Sequence, residues 1–388
     1  MNGYLMHKDS IVSRIEEGIV LDDNVMLPLQ LHKGASVDGW LIDRAIDNHR
    51  TNSRLLKKVI RITDSSDVST VLKAHAATVT DNYWIKLDNE VLEYKDILFN
   101  DDSLSDVALY GDFNSLAKAE SYNSNNSKSP ELTNTGSFEK CWKLHNNSWV
   151  MYKRGNELEL FSEIFIYKLG KYFCFNMASY EKYKDCVITE NFTKNKLFDF
   201  EPASAIVGSE ESYIYNYNKL SEFGKQIADD YVKIIFMDTL CFNVDRHTKN
   251  YGILRDADNG KVVSLAPNFD NNIALISRGY TSADISKNDI LMNLWCDFIK
   301  ESKCSFELPE LNRESIVRIA DSIDCDVDKS YVVDFVMNRY NCLVQIQKQF
   351  SINSEKTSVK EKLESISKAS ITKNGKDISI QKKIDLIQ

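Results

Sequence analysis

The sequence predicts an α+β protein with two lobes, in which an N-terminal α+β subdomain precedes a strand-rich segment and a mainly helical C-terminal lobe. Three observations support this class. The 388 residues are 43% hydrophobic, which is enough for one large core or two moderate ones. Strand-like runs lie mostly before residue 192, and helical periodicity dominates after residue 200. A Ser- and Asn-rich stretch near residue 130 separates the first segment from the rest.

Composition excludes several classes of protein. The net charge of −9 provides no general attraction to nucleic acid or to an anionic membrane surface, so we expect neither as a direct partner. The eight cysteines form no CxxC pair, which argues against a metal cage or a disulfide framework. No run of 18 apolar residues and no leader pattern is found. We therefore expect a protein of the reducing cytoplasm.

The N-terminal part mixes two kinds of pattern. Residues 37–60 have helical periodicity, whereas "YWIKL" at residues 83–87 is typical of a strand. The stretch at residues 117–132 has little to bury and predicts a loop or linker. The last 38 residues carry eight Lys against five acids and predict a solvated tail. The predicted segments are residues 1–130, 131–192, 193–350 and 351–388.

The middle of the chain begins with a strand pair. "FEKCWKL" and "SWVMYK" are separated by the turn "HNNS", and alternation places Trp149, Met151 and Lys153 on one face. "ELELFSEIFIYKLGKYF" has the spacing of an amphipathic helix, and "CVIT" at residues 186–189 predicts another strand. A further helix, "GKQIADDYVKIIFMDTL", runs directly into a polar motif.

That motif is "DRHTKN", residues 245–250, and it is followed by a hairpin. On its own it fits an ordinary turn after a helix equally well. The strand-like runs "YGILRD" and "KVVSLAP" are joined through Asn259-Gly260, which is a strong hairpin signal. The hairpin is expected to bring Asp270 back beside Asn250.

These residue types suit phosphoryl transfer from a magnesium nucleotide. Asp245 can accept or orient an attacking hydroxyl, while Asn250 and Asp270 offer hard oxygen ligands to Mg²⁺. The Asp-x-x-x-x-Asn spacing is that of the protein-kinase catalytic loop. His247 and Lys249 add positive charge near the phosphates, although each also fits an exposed loop residue.

The upstream half of such a site has candidates in the right order. "TNTGSFEK", residues 133–140 and called the glycine loop below, precedes the first strand and could cover phosphates. Lys153 lies on the second strand, and Glu163 lies in the following helix. Helical periodicity leaves Glu159 as a rival to Glu163 for an ion pair with the lysine.

Together these segments resemble the HipA family of bacterial serine/threonine kinases over roughly residues 24–347. The resemblance rests on "TNTGSFEK", "WVMYKR", "SEIFIYKLGKYFCFNMA", "VITENF", "DRHTKN" and "APNFD", with "TVTDNYWIK" similar to an N-terminal segment of Gram-positive members. It implies a two-lobed, protein-kinase-like fold. It also implies ATP and Mg²⁺ as cofactors and a protein substrate.

The resemblance further implies a role for each site residue. Asp245 would be the catalytic base, with His247 and Lys249 beside it, and Asn250 and Asp270 would be the Mg²⁺ ligands. Lys153 would contact the phosphates and be held by Glu163, and the backbone of Ile188 to Glu190 would bind adenine. The phosphates would be covered by Thr135, Gly136 and Ser137. Family members autophosphorylate a hydroxyl of this loop, for which Thr133, Thr135 and Ser137 are candidates. They often pair with a small DNA-binding antitoxin.

Two other functions stay open at this point. "DRHTKN" is also close to the DRHxxN loop of phosphatidylinositol kinases, which would make a lipid or a small molecule the substrate. A non-catalytic nucleotide- or partner-binding module is the other alternative. It is weakened because every catalytic position is filled, whereas an inactive kinase is free to lose Asp245 or Asp270.

Overall fold

The computed structural model describes residues 1–62, 66–119, 128–282, 289–302 and 304–350. The predicted tail at residues 351–388 and the middle of the predicted linker, residues 120–127, lie outside the described residues. Within them, three antiparallel sheets are surrounded by helices. Across the same ranges, the structure contains no helix that is long and apolar enough to span a bilayer.

The N-terminal subdomain is built on a four-stranded sheet with the order β3-β2-β1-β4. Its last strand is the predicted "YWIKL", which pairs with β1 so that Tyr83 lies opposite His7. Its elements are β1 (Gly3–His7), β2 (Ser10–Glu16), β3 (Ile19–Val20), α1 (Asp38–Asp43), α2 (Ser53–Val59), α3 (Asp67–Leu72), β4 (Tyr83–Leu87), α4 (Tyr94–Ile97), α5 (Ser105–Leu109) and α6 (Phe113–Ala119).

The helical pattern of residues 37–60 is two short helices rather than one. Between α1 and α2 the side chain of Asp47 accepts the backbone N–H of His49 at 2.8 Å. Such a local bond competes with the helical hydrogen-bond ladder and favours a turn between the two helices. The three strands of residues 3–20 were not predicted from the sequence.

A second four-stranded sheet, with the order β5-β6-β8-β7, follows a short 3₁₀ helix at Pro130–Thr133. Lys153 lies opposite Lys140 on one side and opposite Val187 on the other, so these three side chains share one face. The elements are β5 (Lys140–His145), β6 (Ser148–Arg154), α7 (Glu157–Tyr172), β7 (Glu181–Tyr183) and β8 (Cys186–Glu190).

The predicted linker at residues 117–132 is partly structured, and its final residues are buried. Its first residues belong to α6, and Leu132 accepts the backbone N–H of Ile46 through its carbonyl at 3.0 Å. Leu56 and Trp84 of the subdomain share one hydrophobic cluster with Trp142 of the second sheet. The subdomain and this sheet are therefore packed against a common core, while the four-segment division remains a prediction.

The C-terminal lobe is mainly helical, as predicted, around a small sheet with the order β11-β10-β9. The residues of α10 that were predicted to face inward, Ile227, Tyr231, Ile234 and Ile235, are all buried. The elements are β9 (Phe198–Pro202), α8 (Ser204–Val207), α9 (Tyr213–Ser221), α10 (Lys225–Cys241), β10 (Gly252–Asp256), β11 (Val262–Leu265), α11 (Ile290–Ser302), α12 (Arg313–Asp321) and α13 (residues 329–350).

The N-terminal subdomain also contacts the C-terminal lobe, mainly through Arg255 of β10. The guanidinium group forms an ion pair with Glu201 and donates to the carbonyls of Leu27 at 2.8 Å and Val25 at 2.6 Å. Nearby, the Nε2 atom of His7 lies 2.7 Å from the carboxylate of Asp199. The subdomain is thus held by a hydrophobic core on one side and by buried polar contacts on the other.

Replacement of Arg255 by Ala is expected to destabilise the protein by about 3–5 kcal/mol, because Glu201 is left buried and unpaired. The loop that precedes α1 should also become more sensitive to limited proteolysis, since the carbonyls of Val25 and Leu27 lose their donor. Chemical denaturation gives the free energy of unfolding. Arg313→Ala is the control, because its ion pair with Asp334 is exposed and should contribute less than about 1 kcal/mol. Equal effects of the two substitutions would contradict the docking role of Arg255.

Candidate active site

A cleft of about 590 Å³ lies between the second sheet, the C-terminal lobe and the N-terminal subdomain, a volume within the usual range for small-molecule sites. The glycine loop, the face of β6 and the loops after β8 and α10 line it, and residues 42–49 of the N-terminal subdomain form a further wall. Of the residues predicted from the sequence, Thr135, Gly136, Ser137, Lys153, Glu190, Asp245, His247, Lys249, Asn250 and Asp270 line this cleft.

Lys153 lies at the centre of a buried polar cluster. Its Nζ atom donates to Glu163 Oε2 at 3.0 Å, to Asn272 Oδ1 at 2.7 Å and to the carboxylate of Asp270. The side chain is 7% exposed, so these contacts replace water. Burial by itself would lower the pKa of Lys153, but the carboxylates of Asp270 and Glu163 outweigh it and raise the pKa above its ordinary value. Lys153 is therefore a fixed positive charge.

Glu163, and not its rival Glu159, is the carboxylate that contacts Lys153. The side chain of Glu159 instead accepts the backbone N–H of Asn156 at 2.9 Å and completes the capping box of α7. Glu163 is fully buried, and its Oε1 atom accepts the backbone N–H of Asn271 at 2.7 Å. One carboxylate thus connects α7 both to the lysine strand and to the loop that carries Asp270.

Asp270 is held in a constrained conformation. Its φ angle is 61°, in the left-handed region that is uncommon for residues other than glycine. Its backbone N–H donates to the hydroxyl of Tyr180 at 3.2 Å. Burial opposes ionisation, but Lys153 and Lys140 outweigh it and lower the pKa of Asp270 to about 2. The group is an ionised carboxylate at neutral pH.

Asp245 and Asn250 lie on the loop that follows α10. The Oδ1 atom of Asn243 accepts the backbone N–H of Asp245 at 3.1 Å, which orients the start of the loop. The amide nitrogen of Asn250 donates to the carbonyl of Asp245 at 3.0 Å. Because this bond uses the nitrogen, the Oδ1 atom of Asn250 is left available as a ligand on the cleft side.

Arg246 organises this loop, a role that was not predicted from the sequence. Its guanidinium group forms 2.9 Å bonds with both carboxylate oxygens of Asp238 and donates to the carbonyls of Asn250 and Phe269 at 2.7 Å each. It also donates to the side chain of Asn271 at 2.6 Å. The signal in the sequence is Asp238, a charge within the otherwise apolar run "IIFMDTL", where a buried carboxylate requires a partner.

His247 and Lys249 line the rim of the cleft. His247 is exposed, and its Nδ1 atom accepts the backbone N–H of Lys249 at 3.2 Å. The ammonium group of Lys249 lies 2.7 Å from the carboxylate of Asp43 in α1. Lys249 therefore connects the loop after α10 to the N-terminal subdomain, which the sequence did not predict.

The glycine loop carries a second cation, Lys140, for which no role was predicted from the sequence. Gly136 has a φ of 100°, a backbone conformation that residues with a Cβ atom rarely adopt, so the loop favours glycine at this position. Burial lowers the pKa of Lys140 to about 8; the nearby Asp270 opposes this, whereas Lys153 adds to it. Thr135 and Ser137 are exposed, whereas Thr133 is buried and donates to the carbonyl of Ala77 at 2.7 Å.

The far end of the cleft is lined by β8 and the residues that follow it. Thr189 lies opposite Met151, and its Oγ1 atom is buried without a hydrogen-bond partner among the described residues. Phe192 packs against Phe269 with ring centroids 5.5 Å apart. Ile188 faces the shared hydrophobic core rather than the cleft. This end combines apolar surface with one free polar group.

The residues of the cleft fit a magnesium ion that is shared with phosphates. Within the ranges described above, no group of three or more His, Cys, Asp or Glu side chains could hold a metal ion by itself. Mg²⁺ in nucleotide sites commonly uses only one or two protein oxygens and completes its shell with phosphates and water. The ionised carboxylate of Asp270 and the Oδ1 atom of Asn250 provide such a pair.

The chain resembles known proteins in structure but not detectably in sequence. No protein-family model and no curated protein matches the chain. The chain is similar to HipA in the structure of the Shewanella oneidensis MR-1 toxin–antitoxin system with HipB and operator DNA, with 10% identity and a TM-score of 0.51 over 89% of this chain and 99% of that one. It is also similar to the Helicobacter pylori proinflammatory kinase CtkA, with 15% identity and a TM-score of 0.40 over 57% of this chain and 93% of that one.

The likeness to HipA shows the fold. The chain has the two-lobed, HipA-like kinase fold, and the fold class predicted from the sequence is confirmed.

The side-chain amine of Lys140 is expected to react with an amine-acylating reagent at a rate that rises with pH and is half-maximal near pH 8. The reason is that its pKa is about 8 and only the neutral amine is nucleophilic. Peptide mass spectrometry after brief labelling between pH 6 and 10 measures this midpoint. Lys153 is the internal comparison, since its raised pKa keeps it protonated over the same range. A midpoint for Lys140 above pH 10 would show that burial does not lower the pKa of this amine.

Proposed function

We propose that this chain, which has the HipA-like kinase fold, is an ATP- and Mg²⁺-dependent serine/threonine protein kinase that transfers the γ-phosphoryl group to a protein hydroxyl. One observation carries the proposal: the ion pair of Lys153 with Glu163 opens onto the same cleft as Asp270, Asn250 and Asp245. These are the parts that phosphoryl transfer requires, and positioning and charge stabilisation account for most of its catalysis.

Asp245 is the proposed base. Its carboxylate accepts the proton of the substrate hydroxyl as the oxygen attacks the γ-phosphorus. The side chain of Asn243 accepts the backbone N–H of Asp245 and the side chain of Asn250 donates to its carbonyl, so the backbone that carries the carboxylate is fixed. Arg246 bonds to the same loop through the carbonyl of Asn250, so the loop needs little rearrangement at the moment of reaction.

The cations of the cleft bind the phosphates in this proposal. Lys153 would contact the α- and β-phosphates and is held in place by Glu163. Lys140, at the end of the glycine loop, would add a second positive charge beside the phosphates. Asn250 and Asp270 would hold Mg²⁺, which neutralises charge on the β- and γ-phosphates when it is bound. Nucleotide binding would relieve the present contact of Lys153 with Asp270 by offering each of them an oppositely charged partner.

The far end of the cleft is the proposed adenine site. Met151 and Phe192 offer apolar contacts to the flat faces of a purine ring, and the free hydroxyl of Thr189 can bond one polar atom at its edge. The backbone of Ile188 to Glu190 was predicted to hold the adenine. Ile188 pairs with Tyr152 of β6 and with Glu181 of β7, so we propose that the remaining hydrogen bonds come from the backbone of Thr189 and Glu190, which lie beyond the end of β7. The cleft volume is sufficient for a nucleotide.

A small DNA-binding protein is a proposed partner. The HipA structure to which this chain is similar is a complex with HipB and operator DNA. Co-purification of the tagged chain with the product of a neighbouring gene would support an antitoxin-like partner for this chain. A chain that purifies alone from its native cells would remove this part of the proposal.

Asp245→Asn is expected to reduce the transfer of label from γ-labelled ATP to protein by at least about 100-fold, because the general base is lost. The assay uses purified protein with Mg²⁺ and a bacterial lysate as the source of substrates. Asp334→Asn, an exposed carboxylate on α13, is the matched control and should retain full activity.

The outcomes of this assay separate the candidate functions. Label that persists in Asp245→Asn rejects Asp245 as the base. Label that reaches a lipid or a small molecule but no protein favours the alternative kinase class. Nucleotide binding without any transfer points to a non-catalytic module, and the absence of nucleotide binding rejects the kinase proposal.

Autophosphorylation is a second part of the proposal, and we expect phosphate on Thr135 or Ser137 but not on Thr133. The first two hydroxyls are exposed, whereas the hydroxyl of Thr133 is buried and bonded to Ala77. Phosphopeptide mapping after incubation with ATP and Mg²⁺ gives the site, and the Thr135→Ala/Ser137→Ala double variant should lose the modification. An unmodified loop in an active sample would contradict this prediction.

A further inference from the structure

The glycine loop is anchored by a buried carboxylate that the proposed mechanism does not use. Glu131 lies immediately before the loop and is 1% exposed. We infer that Glu131 is a positioning residue, which holds the two ends of the glycine loop together and thereby keeps the loop over the phosphates of a bound nucleotide. The inference rests on the proposed nucleotide site and adds a residue that determines phosphate affinity without touching the phosphates.

The geometry consists of two hydrogen bonds from one carboxylate. The Oε2 atom accepts the side-chain amide of Asn134, at the start of the loop, at 3.0 Å. The Oε1 atom accepts the backbone N–H of Trp142, just beyond the end of the loop, at 2.7 Å. The residues between these two points carry Gly136 and Lys140, so the loop is closed at its base by Glu131.

Arg50 of the N-terminal subdomain contacts both Glu131 and the start of the glycine loop. This guanidinium group is fully buried, lies 3.7 Å from Glu131 Oε2 and donates to the backbone carbonyl of Asn134 at 3.4 Å. A second bond of 3.4 Å reaches the carbonyl of Ala108 in α5. The start of the glycine loop is thus held by a carboxylate on one side and by a subdomain arginine on the other.

The charge state of Glu131 should control this anchor. Burial raises the pKa of Glu131 to about 7, although Arg50 and the bonds from Trp142 and Asn134 oppose the rise. The other titratable groups that face it are Lys140 and Cys141 from β5, while Glu139 and Asp47 act on Arg50. Protonation removes one of the two acceptor oxygens, so the anchor weakens as the pH falls through about 7.

Binding of two ligands can show whether Glu131 anchors the glycine loop or only stabilises the fold in general. A non-hydrolysable ATP analogue with Mg²⁺ needs the glycine loop, because its phosphates lie beneath it. Adenosine has no phosphates and reports only on the far end of the cleft. Loss of the anchor should therefore weaken the first ligand and spare the second.

The experiment measures the dissociation constants of both ligands by calorimetry for the full chain and for Glu131→Gln, at pH 6, 7 and 8. Gln keeps the shape of the side chain but offers one acceptor oxygen instead of two. At pH 8 the variant should bind the ATP analogue about tenfold more weakly, the effect of losing a hydrogen bond to a charged group. The ratio of the variant's dissociation constant for the ATP analogue to that of the wild type should fall toward one at pH 6, because the wild-type carboxyl is then protonated.

Two further variants keep the test interpretable. Glu181→Gln, an exposed glutamate on β7 of the same sheet, should change neither dissociation constant. Asn134→Ala removes one donor but leaves the Arg50–Glu131 pair intact, and it replaces Glu131→Gln if that variant fails to fold. It should weaken the ATP analogue and leave adenosine unchanged.

The outcomes distinguish this inference from the proposed function. Unchanged affinity of both Glu131→Gln and Asn134→Ala for the ATP analogue would overturn the inference, as would equal weakening of adenosine or a ratio that does not depend on pH. A wild-type protein that binds neither ligand would overturn the proposed nucleotide site itself. Selective, pH-dependent weakening of the ATP analogue is the result expected.

Discussion

The neutralisation of Lys153 is the constraint on which the centre of the molecule depends. Its buried ammonium group donates hydrogen bonds to the carboxylates of both Glu163 and Asp270, and a third bond goes to the side chain of Asn272. A buried charge without a partner costs several kcal/mol, so β6, α7 and the Asp270 loop have to meet at this point. The contact joins the two lobes, because its members come from both sides of the cleft.

A second buried cation plays the corresponding role in the C-terminal lobe. Arg246 is charge-balanced by Asp238 of α10 and uses its remaining donors on the loops that carry Asn250 and Asp270. The planar guanidinium suits this task, since its donors point in fixed directions. The long helix α10, which is the centre of the lobe's hydrophobic core, thereby sets the position of the polar site above it.

The N-terminal subdomain is part of the site and not only attached to it. Arg50 approaches the glycine loop, Asp43 pairs with Lys249 on the opposite side of the cleft, and Arg255 fastens the subdomain to the C-terminal lobe. The shape of the cleft therefore depends on residues 42–49, far in sequence from the loop after α10.

The sequence by itself determined the elements whose signals are local. Alternation located β6 with Lys153, apolar periodicity located α7 and α10, and Asn259-Gly260 located the hairpin that returns Asp270 to the cleft. These residues could be found because spacing along one strand, helix or turn fixes which side chains share a face. Only the tertiary structure decided between Glu163 and Glu159, revealed Arg246, Lys140 and Glu131, and placed Asp43 beside Lys249. Each of these depends on contacts between distant segments and on the loss of water around a charge, and neither is encoded in local periodicity.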